Sequence, residues 1–256
     1  MLRPRIIPFL LLNKDFLEKT EKFKNPKYVG DPLNAVKIFN EKQADEIAIV
    51  DYTASADKRE INFDLLKKIA EESRMPVSYS GGIKSVADAS KLISFGIEKI
   101  CISSSYFSDA SLCSQLISAF GSQSVVVVFD IKKNLFGKYC IYTNQGKNLI
   151  SSDLYQEIKK ACETGVGEIV INNISLDGSL KGYDLNLARE VFDICSVPVT
   201  FVGGAGNYDD FTDLIDSTGI VGCGSGSMFV FKGKYKAVLI NYPSIEKRLS
   251  ISGNIN

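Results

Sequence analysis

The sequence contains no histidine and no tryptophan, and it has no excess of charge of either sign. Its 256 residues include 30 basic and 30 acidic side chains, so we expect no nucleic-acid partner. Hydrophobic residues make up 45% of the chain, which excludes a disordered protein and is enough for a substantial core at this length. Without histidine, any acid–base chemistry must come from carboxylates, lysine, tyrosine or cysteine.

Long apolar runs and paired cysteine motifs are also missing. The longest early apolar run, residues 6–12, is interrupted by Pro8 and is much shorter than the roughly 18 residues of a membrane span. No signal-peptide cleavage pattern follows it, so we expect a soluble, cytoplasmic protein that has no membrane partner. The six cysteines show no CxxC spacing, and we interpret them as small buried side chains in a reducing compartment. We predict neither a metal site nor a cofactor.

Short apolar runs alternate with amphipathic helical patterns along the chain. The predicted strands are residues 5–11, 46–51, 77–80, 99–103, 124–130, 168–173, 198–202 and 220–224, and the predicted helices are 32–43, 62–73, 86–95, 111–120, 154–164, 185–194 and 209–217. Because the strand runs are mostly continuous rather than alternating, they are typical of parallel strands buried on both faces. Eight such units favour one α/β domain over residues 1–256, a (β/α)8 TIM barrel. The alternative is a doubly wound open sheet, but no glycine-rich dinucleotide fingerprint follows the first strand.

The sequence also repeats weakly at an offset of 122 residues. At that offset Glu46-Ile47 coincides with Glu168-Ile169, Gly81-Gly82 with Gly203-Gly204, Ser103 and Ser105 with Ser225 and Ser227, and Phe107 with Phe229. A repeat near half the chain length predicts two similar half-barrels, at about residues 1–120 and 121–240.

Glycine- and serine-rich segments follow the third, fourth, seventh and eighth predicted strands. Glycine lets backbone N–H groups approach an anion, serine adds hydroxyl donors, and a following helix N-terminus contributes its dipole. We therefore predict two phosphate sites on opposite sides of the barrel mouth and a ligand with a phosphate at each end. The alternative is that the glycines only form turns. The candidates are Gly81, Gly82, Ser103 and Ser104 in the first half, and Gly203, Gly204, Ser225 and Ser227 in the second.

Three aspartates stand where predicted strands end or in the loops that follow. Asp130 closes the fifth strand, and a carboxylate at the end of a hydrophobic strand is costly unless it is used or paired. We predict that Asp130 is a catalytic acid–base group. Asp51, at the end of the second strand, and Asp177, which precedes Gly178, either contact the ligand or cap loops.

These residues resemble the HisF family, the cyclase subunits of imidazole glycerol phosphate synthase, over nearly the whole chain. The most specific stretches are Asp51-Tyr52-Thr53-Ala54-Ser55, Lys58-Arg59, residues 121–130, Asp177-Gly178 and Gly182-Tyr183-Asp184. The resemblance implies a separate glutaminase subunit that makes ammonia. It also implies a barrel that conducts this ammonia to a bisphosphorylated substrate, which is cleaved and cyclised.

The resemblance also implies a charge ring at the floor of the barrel and a lid over its mouth. Arg5, Glu46, Lys99 and Glu168 each start a strand and match the family's ring, which is interpreted as an ammonia gate; the alternative is a plug of salt bridges. Residues 13–30 form a long lysine-rich loop, either a lid or a solvated charge run, and Lys19 best matches the family's lid lysine.

One residue departs from the family pattern. The family's two catalytic aspartates end the first and fifth strands; Asp130 matches the second, but Leu11 stands at the first. Asp15, four residues further on, is the candidate substitute for the missing carboxyl group. We therefore expect a HisF-like subunit that has left histidine synthesis and delivers ammonia in surface-polysaccharide synthesis, where a sugar amidotransferase is a possible further partner. The alternatives are an ordinary cyclase and a silent scaffold that stimulates its glutaminase.

Overall fold

The computed structural model describes residues 3–252, which form strands and helices in alternation. The strands are β1 (Arg5–Asn13), β2 (Phe16–Glu21), β3 (Lys24–Gly30), β4 (Ile47–Asp51), β5 (Val77–Ser80), β6 (Lys99–Ile102), β7 (Val125–Lys133), β8 (Tyr139–Thr143), β9 (Asn148–Ser151), β10 (Glu168–Asn173), β11 (Val199–Val202), β12 (Gly222–Ser225), β13 (Phe231–Lys232) and β14 (Ala237–Val238). The helices are α1 (Pro32–Glu41), α2 (Phe63–Glu72), α3 (Val86–Ser94), α4 (Ser104–Ser108), α5 (Leu112–Phe120), α6 (Leu154–Thr164), α7 (Leu185–Ile194), α8 (Asp209–Thr218), α9 (Ser227–Val230) and α10 (Ile245–Ser252).

Eight of the strands close into a parallel barrel. Their order is β1, β4, β5, β6, β7, β10, β11 and β12, and β12 pairs with β1 to complete the ring. Every neighbouring pair in this ring is parallel. The predicted (β/α)8 barrel is therefore confirmed, and its eight strands are the eight predicted ones with small shifts of their ends.

The strands are apolar on both faces because each packs inward on the barrel axis and outward on the helices. The outer layer is continuous and includes Phe39, Leu66, Ile158 and Phe211, all buried. Five helices begin at a residue whose side chain accepts a hydrogen bond from the backbone N–H three residues on, which fixes where each helix starts. These capping residues are Asp31, Asn62, Ser85, Asp153 and Asp184.

Two hairpins extend the barrel at its mouth, and the sequence patterns did not predict either. β1 folds back into antiparallel β2 and β3, and β7 folds back into antiparallel β8 and β9. The prediction of a loop over residues 13–30 is thus wrong: most of the segment is strand. The outer strand β3 is largely exposed and carries Lys24 and Lys27, so its polar sequence resembles that of a loop.

The same register recurs in the two halves of the barrel. In the first half Leu11 on β1 pairs with Val50 on β4, and in the second half Asp130 on β7 pairs with Asn172 on β10. Val50 and Asn172 are related by the 122-residue offset of the repeat. Leu11 and Asp130 therefore occupy equivalent positions, which agrees with two similar half-barrels. Within residues 3–252, no helix is long and apolar enough to cross a membrane.

The turn between α6 and β10 offers a test of this packing. A Cβ on Gly167 would lie 2.2 Å from the carbonyl oxygen of Ser122, so Gly167→Ala should force the backbone apart and lower the free energy of unfolding by about 3 kcal/mol. The control is Gly165→Ala, where φ is +86° but no described atom lies within 4 Å of the added Cβ; it should lose only about 1 kcal/mol. Urea unfolding compares the two. Equal losses would contradict the close approach at Gly167.

Candidate active site and charge ring

A cavity occupies the barrel axis between the two ends of the strands. At the floor, its wall includes Glu46, Lys99 and Glu168, near where their strands begin. At the mouth, its wall includes Ser103 and Asp130, where strands end. The cavity therefore joins the predicted ring to the predicted acid–base residue along one axis.

The four charged residues at the floor form a closed ring of ion pairs. Arg5 contacts Glu46 at 2.5 Å and Glu168 at 2.7 Å. Lys99 Nζ lies 2.9 Å from a carboxylate oxygen of each of the same two glutamates. Thr200 Oγ1 adds a hydrogen bond by donating to Glu168 Oε1 at 2.5 Å. Each glutamate thus bridges both cations, and the structure brings all four predicted ring residues together.

The ring stays ionised because its charges compensate one another. Burial alone would lower the pKa of Arg5 and of Lys99, but the two glutamates outweigh it and raise both. Burial alone would raise the pKa of Glu168, but Arg5 and Lys99 outweigh it and lower it. The formal charges of the four side chains sum to zero, so the ring carries no net charge.

Above the ring the barrel interior is mostly apolar. Cys101, Val126, Val170 and Val202 form a separate buried cluster inside the barrel, with Phe9 and Val128 packed against it. Ser78 Oγ also faces the cavity, and its hydroxyl donates to the Ile47 carbonyl at 3.3 Å. Ammonium would lose its hydration in such surroundings at high cost, whereas neutral ammonia would lose far less.

Asp130 stands at the upper end of this apolar segment. Its Oδ1 accepts a hydrogen bond of 2.6 Å from the amide of Asn172 on the neighbouring strand. Burial raises the pKa of Asp130 to about 6, and the negative charge of Asp177 adds to the rise, while Asn172 opposes it. A carboxyl group with a pKa near neutrality can both accept and donate a proton at physiological pH. The amide oxygen of Asn172 is buried and has no hydrogen-bond partner among the described residues.

Leu11 faces the same cavity from the opposite half of the barrel. It is 7% exposed and contributes to the cavity wall. The predicted substitute, Asp15, lies elsewhere: its carboxylate accepts a hydrogen bond of 2.8 Å from Asn62 at the exposed surface. The cavity wall therefore has a carboxyl group at Asp130 on β7 and a hydrocarbon side chain at the equivalent position, Leu11, on β1.

The first predicted phosphate site lies at the cavity wall. Gly81, Gly82, Ser103 and Ser104 all line it. Gly81 has a φ of +133°, and a Cβ there would meet the Asp51 carbonyl oxygen at 2.5 Å, so only glycine fits this approach. Ser103 precedes helix α4, and its side chain does not cap the helix. The glycine and serine residues after β5 and β6 thus offer hydrogen-bond donors on this side of the mouth.

The second predicted phosphate site is covered by the β2–β3 hairpin. Gly203, Gly204, Ser225 and Ser227 are all buried and are not part of the cavity wall. Lys19 on β2 runs along Gly226, where an added Cβ would lie 2.7 Å from the lysine Cε. Gly178 packs just as closely against the Thr20 carbonyl oxygen. In this conformation the cavity therefore reaches Lys19 and Gly226 on this side but not the four predicted residues.

Lys19 and Asp177 hold that hairpin in place. Lys19 Nζ donates to Asp177 Oδ1 at 2.6 Å, and both side chains are at least 90% buried. The hairpin also donates a backbone hydrogen bond, from the Lys22 N–H to the Asp177 carbonyl oxygen at 3.0 Å. The predicted lid lysine and the predicted loop aspartate therefore pair with each other in this conformation.

Asp51 lines the cavity, and only one of its carboxylate oxygens is paired within the protein; its buried Oδ2 has no hydrogen-bond partner among the described residues. Its Oδ1 accepts from Arg59 at 2.7 Å and from the Ala54 N–H at 3.2 Å. Burial raises the pKa of Asp51, and Arg59 opposes the rise. Arg59 also donates to Thr53 Oγ1 at 2.7 Å and so fixes the loop after β4.

Sequence analysis missed Asn172 and Thr200 as parts of the site. Both follow the period-2 pattern of inward-facing positions, because Asn172 stands four residues after Glu168 and Thr200 two residues before Val202. That periodicity could have identified them. In the described part of the chain, no cluster of three or more possible metal ligands is present.

The fold and the axial cavity define a (β/α)8 barrel with a ring at one end and an acidic site at the other. The chain matches the family described as histidine biosynthesis protein over residues 5–236. It is 49% identical over 245 residues to a putative imidazole glycerol phosphate synthase subunit of Vibrio vulnificus, covering 95% of this chain and 94% of that protein. A putative HisF subunit of Leptospira borgpetersenii is 46% identical over 245 residues, covering 95% and 96%.

More distant relatives carry the same family name without the word putative. The imidazole glycerol phosphate synthase subunit HisF of Streptococcus mutans is 32% identical over 229 residues, covering 90% of this chain and 91% of that protein. Relatives named as putative subunits share 42–49% identity with the chain, and those named without the qualifier share 31–37%. The chain belongs to the HisF family of imidazole glycerol phosphate synthase subunits, and the expected enzyme family is confirmed.

The raised pKa of Asp130 predicts a pH-dependent stability change. A carboxyl pKa that rises from about 3.9 in the unfolded chain to about 6 in the folded protein costs stability as the pH increases through that interval. Asp130→Asn should therefore raise the free energy of unfolding by up to about 3 kcal/mol at pH 7.5, and the gain should shrink towards pH 4.5. Urea unfolding at the two pH values measures it.

Asp177→Asn serves as the control for this prediction. It removes the carboxylate partner of buried Lys19, so it should destabilise the protein at pH 7.5, the opposite sign to Asp130→Asn. A loss of stability in Asp130→Asn at pH 7.5 would contradict the assigned environment of Asp130.

Proposed function

We propose that this chain is a HisF-like subunit that receives ammonia from a glutaminase, conducts it along the barrel axis and has lost most cyclase activity. The ammonia would serve an amination in nucleotide-sugar or surface-polysaccharide synthesis, through a sugar amidotransferase. A phosphorylated small molecule would still bind at the mouth. The main support is the equivalence of Leu11 and Asp130 in the strand register.

The physical case rests on what a cyclase must do at the mouth. Cleaving and cyclising a bound ligand requires proton transfer on both of its sides, and each missing acid–base group costs about 10²–10⁴-fold in rate. Asp130, with a pKa near 6, is suited to one side. Leu11 can neither donate nor accept a proton, and Asp15 is held by Asn62 at the surface.

The floor of the barrel supports a glutaminase as partner. The exposed parts of the ring are its cations: the side chains of Arg5 and Lys99 are 28% and 19% exposed, and those of the glutamates are at most 8% exposed. A partner that docks on this face would deliver ammonia directly to the ring. The ring and the apolar interior above it would then pass neutral ammonia and exclude ammonium and water.

An ordinary cyclase of histidine biosynthesis is the second candidate, and a specific observation favours it: the relatives are named imidazole glycerol phosphate synthase subunits. The relatives named as putative subunits have a higher sequence identity to this chain than those named without that qualifier, and this difference favours the specialised subunit instead. A silent scaffold that only stimulates a glutaminase is the remaining alternative; it predicts ligand binding without any turnover.

Leu11→Asp is the decisive variant. With the histidine-pathway substrate and ammonium salt, the unchanged chain should turn over about 10²–10⁴-fold more slowly than a HisF with both aspartates. Leu11→Asp should recover part of that deficit, because the carboxyl group is restored opposite Asp130. Product formation is measured in a steady-state assay.

Leu11→Asn is the matched control for Leu11→Asp. Asparagine has nearly the same shape as aspartate and is also polar, but its side chain cannot transfer a proton. This variant should stay at the rate of the unchanged chain. A wild-type rate typical of the family would refute the specialised function, and equal rates for the Asp and Asn variants would exclude proton transfer as the cause of the deficit.

The gate itself is tested by Lys99→Met in the Leu11→Asp background, with the glutaminase bound. Removing one cation leaves the ring with a net negative charge and an opening beside Glu46 and Glu168. Glutamine-driven turnover should fall several-fold, whereas turnover with ammonium salt, which can enter at the mouth, should not change. Lys91→Met, on the outer face of α3 over Phe63, is the control. Equal losses with both nitrogen sources would contradict a gate.

A further inference from the structure

Two of the six cysteines lie against each other near the surface of the barrel. The Sγ atoms of Cys162 and Cys195 are 3.6 Å apart, although 33 positions separate the residues in sequence. Both side chains are half-buried, whereas Cys101, Cys113, Cys140 and Cys223 are buried. From the sequence we expected all six to be small buried side chains, and this half-buried pair departs from that expectation.

The reduced thiols are already oriented towards each other. The Cys195 thiol donates to the Val197 carbonyl at 3.4 Å, which leaves its sulfur free to accept from the Cys162 thiol. Cys162 lies in the last turn of α6, and Cys195 directly follows α7. A disulfide requires an S–S distance of about 2.05 Å, so the two sulfurs must approach by about 1.6 Å. Helix ends can make such an adjustment, since their last turns have fewer backbone hydrogen bonds.

The pair also lies on the two chain segments that lead to one side of the charge ring. α6 connects through Gly165 to β10, which begins with Glu168, and α7 connects to β11, which carries Thr200. Thr200 donates to Glu168 inside the ring at 2.5 Å. A covalent link between Cys162 and Cys195 would therefore tie together the two connections that position this hydrogen-bonded pair.

We propose that Cys162 and Cys195 form a modification site, which a hydroperoxide oxidises to an intramolecular disulfide. The disulfide would fix the α6–β10 and α7–β11 connections against each other at the floor of the barrel. This inference does not depend on the proposed function, because it concerns two thiols outside the axial cavity.

The chemistry proceeds in two balanced steps. The Cys162 thiolate attacks a peroxide oxygen, the O–O bond breaks, and the leaving hydroxide takes up the proton that Cys162 lost, giving a sulfenic acid and water. The Cys195 sulfur then attacks the sulfenic sulfur; the S–S bond forms, the S–O bond breaks, and hydroxide leaves with the Cys195 proton as a second water. Two thiols are oxidised and one hydroperoxide is reduced. The Cys195 thiol holds its proton in the hydrogen bond to the Val197 carbonyl, so we assign the first attack to Cys162.

The first experiment treats the full chain with hydrogen peroxide and maps its peptides by mass spectrometry without reduction. A cross-linked peptide pair joining Cys162 to Cys195 should appear, with two hydrogens lost and no dimer formed. It should be absent from Cys162→Ser and from Cys195→Ser. Cys140→Ser is the matched control, because the Cys140 thiol also donates to a backbone carbonyl, and it should retain the cross-link. Sulfinic acid without a cross-link, or links only between chains, would overturn the proposal.

A second experiment measures how strongly the fold favours the disulfide. In glutathione redox buffers, the effective concentration of one thiol towards the other should exceed the roughly millimolar value of a flexible linker by at least tenfold. Oxidation should also slow amide hydrogen exchange in residues 162–168 and 195–200, and leave the β8–β9 hairpin unchanged. An effective concentration at or below the millimolar range would show that the pair is merely adjacent.

Discussion

Hydrogen bonding between β12 and β1 closes the sheet, and the rest of the molecule depends on that closure. Once the first and last barrel strands pair, all eight strand starts lie at one end and all eight strand ends at the other. Arg5 and Glu168 are 163 positions apart in sequence, yet closure places them in direct contact. A ring of four charges from four strands can exist only in this geometry, and so can a site assembled from distant strand ends.

Closure also fixes register, and register decides which residue faces the ligand. Leu11 on β1 pairs with Val50 and Asp130 on β7 pairs with Asn172, and Val50 and Asn172 correspond in the repeat, so Leu11 and Asp130 occupy equivalent positions. A slip of one residue would turn Leu11 out of the cavity. The barrel thus holds the apolar side chain of Leu11 in the wall of the mouth. The mouth is chemically asymmetric for this reason, although its backbone is nearly symmetric.

Much of this arrangement could be predicted from the sequence, for a physical reason. Strands buried on both faces, such as Val125–Lys133, leave a continuous apolar run, and their inward charges stand out at the first position, as Glu168 does. Hairpins at the mouth leave no such signal, because the outer strand β3 is exposed at its first five residues, which include Lys24 and Lys27. The pairing of Lys19 with Asp177 also could not be predicted, since it joins residues 158 positions apart whose contact depends on where the hairpin folds.

The ring and the mouth are linked by an interior that has little polar character. Ser78 and Thr200 place hydroxyl groups near the floor, but both donate to acceptors within the protein. Towards the mouth the cavity wall includes Asp130, Asn172 and Asp51, and both the Asn172 amide oxygen and Asp51 Oδ2 are buried without a hydrogen-bond partner among the described residues. A neutral molecule that passed the ring would thus meet unpaired hydrogen-bond acceptors at the ends of β4 and β10. The mouth has these acceptors although an apolar side chain, Leu11, stands at the position equivalent to Asp130.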